Sequence, residues 1–291
     1  MSPFADRLVD MTDRYGPLCV GIDPHAGRIP AFFGGDTPDG LAHWGEAVVS
    51  AVAGTVGIVK PQAGLFERHG WRGMRALARV CDVARAAGLI VLMDAKRGDI
   101  GSTAEGYAEA YLSDHAPFAC DALTVNPYLG VETLEPYVRA AERSGKGVIV
   151  LARTSNPGAA DFQLRPLDGA PLYHRVVEAL APLSPRLAGG TGWSGLMLVT
   201  GATGPEEARA LRQLAPEALF LVPGYGAQGG AAEDAVAGFI GGRGGCVNAS
   251  RSVIFAEGTA GASGPEAWAA AVGAAAAAAQ MALRQAAANL S

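Results

Sequence analysis

Eight short and almost continuously apolar runs recur along this chain, and longer segments rich in Ala, Leu and Arg separate them. In order, the runs read PLCVGIDP, VGIVKPQ, LIVLMDAKR, ALTVNPY, GVIVLART, GLMLVTG, ALFLVPGYG and CVNASRSVIF. Runs without a polar face are typical of strands that a parallel sheet buries on both sides. The intervening segments mix polar with spaced apolar residues, which predicts helices over 41–54, 70–87, 131–143, 171–188 and 205–215.

Eight strands that alternate with helices predict an α/β fold, a (β/α)8 TIM barrel. The alternative is a doubly wound open sheet, whose first turn would need a glycine-rich GxGxxG pattern. The first turn here reads GIDPHAGR and lacks that pattern. Since no strong internal repeat or linker interrupts the chain, we expect one domain over residues 1–291. An Ala-rich C-terminal helix at about 264–289 is expected to pack against it.

The longest loop-like segment is TSNPGAADFQLRPLDGA, at 154–170, directly after the fifth apolar run. Its proline and glycine residues are expected to keep it from being helical. Long loops in compact domains are often functional, so we expect this loop to belong to the site.

Composition and charge exclude several classes of protein. Hydrophobic residues make up 49% of the chain, which indicates a folded globular protein. The net charge of -5 argues against a nucleic-acid partner, and neither the acidic N-terminal helix nor the Ala-rich tail predicts a membrane anchor. The four cysteines are scattered without a CxxC pair, so we expect buried thiols in a reducing cytoplasm.

Polar side chains crowd the C-terminal ends of the predicted strands. In barrel enzymes this rim carries the active site. The residues concerned are Asp23, Lys60, Asp94, Lys96, Asn126, Thr154 and Arg251. Because Asp94 and Lys96 are two positions apart on one strand, both side chains should point to the same side, with Lys60 beside them. Asp99 lies beyond the strand, in the loop that opens the next helix.

The stretch MDAKRGDIGST could be a structural ion-pair network, but burying charges is costly, so we favour a functional cluster. Lys96, flanked by carboxylates, should stay protonated and act as a proton donor, and this disfavours Schiff-base chemistry. Asp94 would disfavour a substrate anion placed beside it, and loss of that charge as CO2 would relieve the repulsion.

A phosphate site is predicted after the seventh and eighth runs, where this fold commonly binds phosphate. VPGYGAQGG, at 222–230, supplies glycines and Gln228, and ASRSVI supplies Arg251. Backbone N–H groups in such a loop, together with one arginine, can hold a phosphoryl group.

The motifs VKPQAGLFE, MDAKRGDIGST, ARTSNPGA, VPGYGAQGG and Arg251 together resemble the orotidine 5'-phosphate decarboxylase family, in its longer bacterial subgroup (type 2). The resemblance runs from VGIDP to ASRSVIF and implies conversion of orotidine 5'-monophosphate to UMP and CO2, in pyrimidine biosynthesis, without cofactor or metal. One departure is NAS before Arg251, where shorter members have Gly-Arg.

The resemblance also implies roles for individual residues. Lys60, Asp94, Lys96 and Asp99 would form the charged catalytic tetrad, in which Lys96 protonates C6 of the pyrimidine. Asp99 would come from the other subunit of a homodimer with shared active sites. Asp23 and Lys60 would hold the ribose hydroxyls, Ser155 would contact the pyrimidine, and Gln228 and Arg251 would contact the phosphate. Ile100 and Thr103 would accompany Asp99, and Pro223 would also contact the substrate.

Two other functions stay open at this point. The DxKxxD pattern is shared with metal-dependent sugar-phosphate decarboxylases and synthases, which are expected to have an acidic residue where this chain has Lys60. A catalytically silent nucleotide-binding barrel is the other alternative, against which the four intact charged positions argue.

Overall fold

The computed structural model describes residues 2–201, 204–226 and 231–290. Eight of its strands are parallel to their neighbours and form a barrel. These strands are β1 (Leu18–Ile22), β2 (Ile58–Pro61), β3 (Ile90–Arg97), β4 (Ala122–Val125), β5 (Gly147–Arg153), β8 (Ser194–Thr200), β9 (Ala218–Val222) and β10 (Gly245–Ala249). The closed order β1-β10-β9-β8-β5-β4-β3-β2 confirms the predicted (β/α)8 barrel.

Helices surround the barrel and connect its strands. The α-helices are α1 (Phe4–Tyr15), α2 (Pro38–Val52), α3 (Ala63–Glu67), α4 (Gly70–Ala86), α5 (Gly101–Leu112), α6 (Glu135–Ser144), α7 (Ala159–Phe162), α8 (Leu172–Leu180), α9 (Pro205–Leu214), α10 (Ala232–Ala235), α11 (Arg251–Ile254) and α12 (Pro265–Ala288). Short 3-10 helices cover Ala31–Phe33, Val131–Leu134 and Ala181–Leu187.

Side chains alternate between two cores because successive strand residues point to opposite faces. In β1, Leu18 and Val20 pack in the layer between strands and helices, whereas Cys19 packs inside the barrel. Phe4 and Leu8 of α1 belong to the inner cluster, so α1 covers the N-terminal end of the barrel. The opposite, C-terminal end is where the charged strand ends meet.

The barrel is closed by contacts between the two ends of the chain. Leu18 of β1 pairs with Val247 of β10. The backbone N–H of Leu18 donates to Oε1 of Gln280 in α12 at 2.9 Å. Trp268, in the same helix, is buried against the core. The Ala-rich tail therefore packs on the barrel, and none of the described helices is long and apolar enough to cross a bilayer.

The prediction for the loop 154–170 is wrong in detail. It contains the one-turn helix α7 and a two-stranded antiparallel hairpin of β6 (Pro166–Leu167) and β7 (Ala170–Pro171). The hairpin turn is Asp168-Gly169, with φ angles of 48° and 82°, a conformation that this dipeptide favours in two-residue turns. Proline and glycine therefore shape this loop, but they do not exclude local structure.

The eighth apolar run also differs from the prediction of a simple strand. The strand β10 ends at Ala249, and the rest of the run folds into α11, which begins at Arg251. The four cysteines are free and buried, as predicted.

Candidate active site

Three charged side chains meet where β2 and β3 reach the C-terminal rim. The ammonium of Lys60 donates to Oδ2 of Asp94 at 2.7 Å, and the ammonium of Lys96 donates to Oδ1 at 2.5 Å. Gln62 adds a third donor, with Nε2 at 3.0 Å from Oδ2 of Asp94. Both carboxylate oxygens are therefore held by donors on two adjacent strands.

A bulge in β3 sets the geometry of this cluster. Met93 pairs with Leu123 and Arg97 with Val125, so four steps along β3 correspond to two along β4. Lys96 lies within this bulge at a φ of 48°. The prediction that the side chains of Asp94 and Lys96 point to the same side is confirmed, although the bulge, and not simple strand alternation, brings them together.

The electrostatics of the cluster keep it ionised. Burial by itself would raise the pKa of Asp94, but the charges of Lys60 and Lys96 outweigh it and lower that pKa well below its ordinary value. Burial would likewise lower the pKa of Lys60, yet the charges of Asp94 and Asp23 outweigh it and raise that pKa. Asp94 is therefore ionised and Lys60 protonated in the folded protein.

A cavity of about 400 Å³ opens beside the cluster. It is lined by Lys60, Asp94, Lys96, Thr124, Leu151, Thr154, Ser155, Asn156, Gln163, Val199, Leu221 and Pro223. The structure thus brings together six of the predicted rim and site residues, namely Lys60, Asp94, Lys96, Thr154, Ser155 and Pro223. The cavity combines apolar walls with a charged floor, as expected for a small polar ligand.

Asp23 and Arg251 follow the C-terminal ends of β1 and β10 and do not line this cavity. Asp23 follows β1, and its Oδ1 is buried without a hydrogen-bond partner among the described residues. Arg251 is exposed at the start of α11. A Cβ on Gly21 would lie 1.9 Å from Oγ of Ser250, so glycine is needed for the close approach of the segment before Arg251.

Asp99, Ile100 and Thr103 also lie outside the cavity lining. Asp99 is partly exposed, and its Oδ1 accepts a hydrogen bond from the backbone N–H of Ile100 at 2.8 Å. The side chains of Ile100 and Thr103 are exposed. Within one chain, these three residues therefore lie outside the cavity; the resemblance implies that they contribute to the site of the other subunit. Gln228, the predicted phosphate ligand, lies outside the described residues.

Arg97 has a different environment from its charged neighbours. It pairs with Glu67 and donates to the hydroxyl of Tyr111 at 3.0 Å. Arg97 therefore ties the end of β3 to α3 and α5, a structural role.

Sequence reasoning missed several residues at the cavity. Thr124 contacts Asp94, and Asn156 and Gln163 come from the long loop after β5. Gln62 had a usable signal, because it lies two positions after Lys60. Among the described residues, no group of three His, Cys, Asp or Glu side chains is placed to hold a metal ion.

Comparisons with known proteins agree with this geometry. Residues 16–263 match the orotidine 5'-phosphate decarboxylase / HUMPS family. The orotidine 5'-phosphate decarboxylase of Rhodopirellula baltica is 41% identical over 270 residues, which cover 88% of this chain and 89% of the relative. That of Nocardioides sp. is 44% identical over 236 residues, covering 80% of this chain and 85% of the relative.

Solved structures agree as well. A Streptomyces avermitilis crystal structure, assigned to orotidine 5'-phosphate decarboxylase, has a TM-score of 0.85 and 38% identity, covering 98% of this chain and 96% of that one. The OMP decarboxylase of Leishmania donovani has a TM-score of 0.75 and 31% identity, covering 97% and 100% of the two chains. With its barrel, its DxKxxD sequence pattern and these relatives, the chain belongs to the orotidine 5'-phosphate decarboxylase family, carboxy-lyases of pyrimidine biosynthesis.

Proposed function

We propose that this chain converts orotidine 5'-monophosphate to uridine 5'-monophosphate and CO2, with Lys96 as the proton donor and without a metal or cofactor. The observation that carries the proposal is the placement of Asp94 between the ammonium groups of Lys60 and Lys96, at 2.7 and 2.5 Å, on the wall of the cavity. A carboxylate held ionised in this way can act on a substrate anion without changing its own protonation state.

Different residues bind the pyrimidine, the ribose and the phosphate of the substrate. The pyrimidine enters the cavity, where Ser155 and Pro223 contact it. Asp23 and Lys60 hold the ribose hydroxyls, for which the unpartnered Oδ1 of Asp23 is an available acceptor. Arg251 and Gln228 hold the phosphate. This remote binding energy positions the ring against the charged cluster.

The chemical step exchanges CO2 for a proton at one carbon atom. The bond between C6 and the carboxylate carbon breaks, CO2 leaves, and its bonding electron pair remains on C6. The Lys96 ammonium then donates its proton to C6, which gives UMP. The side chain of Lys96 keeps 48% of its surface exposed, so solvent can return the proton. Asp94 repels the substrate carboxylate in the ground state and stabilises the nearby ammonium groups throughout.

We further propose a homodimer in which each active site contains Asp99, Ile100 and Thr103 of the partner chain. The support is positional, because these residues project from the rim loop and the first turn of α5 and do not line the cavity of their own chain. Ile100 leaves 62% of its surface exposed, and other large apolar or aromatic side chains are exposed at the same end of the barrel, among them Phe162 at 65% and Tyr128 at 81%. Such apolar exposure is typical of a surface that another chain covers.

We also propose a single domain and a cytoplasmic location. The barrel and its covering helices form one domain over residues 1–291. Four free, buried thiols suit the reducing cytoplasm.

An absorbance assay for the consumption of orotidine 5'-monophosphate by the purified protein tests the proposal directly. Turnover that is unchanged after dialysis against EDTA is expected. Loss of turnover in EDTA, with recovery on adding a divalent cation, would instead favour the metal-dependent sugar-phosphate relatives. Nucleotide binding without any turnover would favour a catalytically silent barrel.

A further inference from the structure

The hydroxyl of Thr124, a buried residue of β4, forms a junction beneath the charged cluster. Its Oγ1 accepts hydrogen bonds from the backbone N–H of Ala95 at 2.9 Å and of Lys96 at 2.8 Å. The hydroxyl can itself donate a hydrogen bond to the backbone O of Met93 or to Oδ1 of Asp94, each 3.3 Å away. A hydroxyl has two acceptor lone pairs and one proton, so this arrangement uses all of its hydrogen-bonding capacity.

These contacts coincide with the bulge in β3. Between the pairs Met93–Leu123 and Arg97–Val125, β3 has two more residues than β4, and the regular ladder is interrupted there. The side-chain oxygen of Thr124 takes the place of backbone acceptors for two consecutive N–H groups in that interval. Because buried N–H groups need a partner, Thr124 allows the bulge to form at this position.

The bulge also holds Lys96 at a φ of 48°, which a residue with a side chain rarely adopts. Such a conformation persists only where surrounding contacts fix it. The hydrogen bond from the Lys96 N–H to Thr124 fixes the backbone on one side, and that from the Lys96 ammonium to Asp94 fixes the side chain on the other.

We propose that Thr124 is a positioning residue, which holds the strained backbone of Lys96 so that its ammonium faces the cavity beside Asp94. The inference rests on the proposed function, since it assigns Thr124 to proton delivery by Lys96. It predicts that Thr124 affects the rate of the chemical step and not the affinity for the nucleotide, because misplacing a reacting group by about 1 Å can cost about 10²-fold in rate.

The test compares Thr124→Val, which replaces only the hydroxyl with a methyl group, with Thr124→Ser, which keeps the hydroxyl. Thr259→Val is the matched control, because its buried hydroxyl donates to O of Ala256 at 2.7 Å, away from the cluster. Steady-state kinetics give kcat and KM, and titration gives the affinity for UMP. Hydrogen exchange in protein labelled with 15N-lysine reports the Lys96 amide and needs no activity.

We expect Thr124→Val to lower kcat about 10²-fold while UMP affinity changes less than about threefold, and to accelerate exchange of the Lys96 amide at least about tenfold. Thr124→Ser and Thr259→Val should both stay near wild type. If Thr124→Val does not fold, Thr124→Cys replaces it, because a thiol is a weak acceptor.

Two results would overturn the inference. One is a Thr124→Val protein with wild-type kcat and wild-type exchange at Lys96. The other is an equal loss of kcat in the Val and Ser variants, which would assign the effect to packing. A wild-type protein that does not turn over orotidine 5'-monophosphate would contradict the proposed function instead, and the exchange measurement would still decide whether Thr124 holds Lys96.

Discussion

The ammonium of Lys60 lies 2.7 Å from the carboxylate of Asp94, and the two side chains expose 5% and 9% of their surface. They belong to neighbouring strands and are 34 positions apart in the chain. Taking both charges out of water is costly, and only their mutual contact and the further donors to Asp94 offset that cost. The barrel can therefore bury Lys60 and Asp94 together, whereas either charge buried without the other would destabilise the fold.

Asp94→Asn should destabilise the fold at neutral pH by about 3–5 kcal/mol, because it leaves Lys60 buried without its partner. The folded-state pKa of Asp94 is lowered, so its stabilising contribution is complete above the unfolded pKa of about 3.9 and is lost progressively as pH falls from there towards the lowered folded-state pKa. Urea unfolding at pH 7 and at about pH 2.5 should show that the difference in the free energy of unfolding between the two proteins becomes smaller in acid.

Asp82→Asn is the control for that experiment. Its carboxylate lies 3.8 Å from Arg85, and the Asp82 side chain is 74% exposed, so its loss should change stability by less than about 0.5 kcal/mol. Equal effects of the two substitutions would mean that burial does not strengthen the Lys60–Asp94 pair.

Lys96→Ala should lower kcat by about 10²–10⁴-fold, the usual range for loss of a general acid, while UMP still binds. The reason is that the proton matters only as negative charge develops on C6, whereas phosphate contacts act equally on substrate and transition state. Single-turnover kinetics and product titration measure the two effects separately.

A lysine at the other end of the barrel provides the control. The ammonium of Lys146 donates to O of Ser113 at 2.8 Å and lines a cleft at the N-terminal rim, so Lys146→Ala should leave kcat unchanged. A wild-type rate in Lys96→Ala would remove that residue from the mechanism.

Arg251→Ala should lower kcat/KM for orotidine 5'-monophosphate by about 10- to 100-fold, the value of one charge-assisted hydrogen bond. Activity on orotidine, which lacks the phosphate, should be unaffected by the same change. Arg243→Ala serves for comparison, because Arg243 is exposed and pairs with Asp13 at 2.8 Å. If Arg251→Ala weakened both substrates equally, Arg251 would have no specific contact with phosphate.

Mixing inactive Lys96→Ala and Asp99→Ala chains should restore activity if active sites are shared. With random pairing, about half of the dimers are mixed, and each mixed dimer has one intact site, so about a quarter of all sites should recover. Mass spectrometry of the mixture verifies that chains have exchanged. Confirmed exchange without recovered activity would show that Asp99 works within its own chain.

The fold could be predicted from the sequence because a strand that is buried on both faces is a continuous apolar run, such as Leu18–Ile22 in β1. Lys60 and Asp94 could be predicted because charged residues at the ends of such runs are unusual. Each inference needed only local sequence and the common direction of parallel strands.

The bulge at Lys96 could not be predicted, because it depends on a hydroxyl from another strand. Thr124 looks like an ordinary strand residue in the sequence, and its role is visible only once β3 and β4 are paired. The hairpin turn at Asp168-Gly169 is a different case. The sequence contains the Asp-Gly dipeptide that is typical of two-residue hairpin turns, but the proline and glycine residues of this loop were interpreted only as helix breakers.

The first and last segments of the barrel contact each other but are synthesised at different times. The N–H of Leu18 receives its acceptor from Gln280, 262 residues later in synthesis. At about 5–20 residues per second, the first strand waits roughly 13–50 s on the ribosome before that partner exists. The βα units can form as they emerge, but the pairing of Leu18 with Val247 has to wait until β10 has been synthesised. Closure of this barrel is therefore a late step in synthesis, and until then the edge of β1 that pairs with β10 lacks its partner strand.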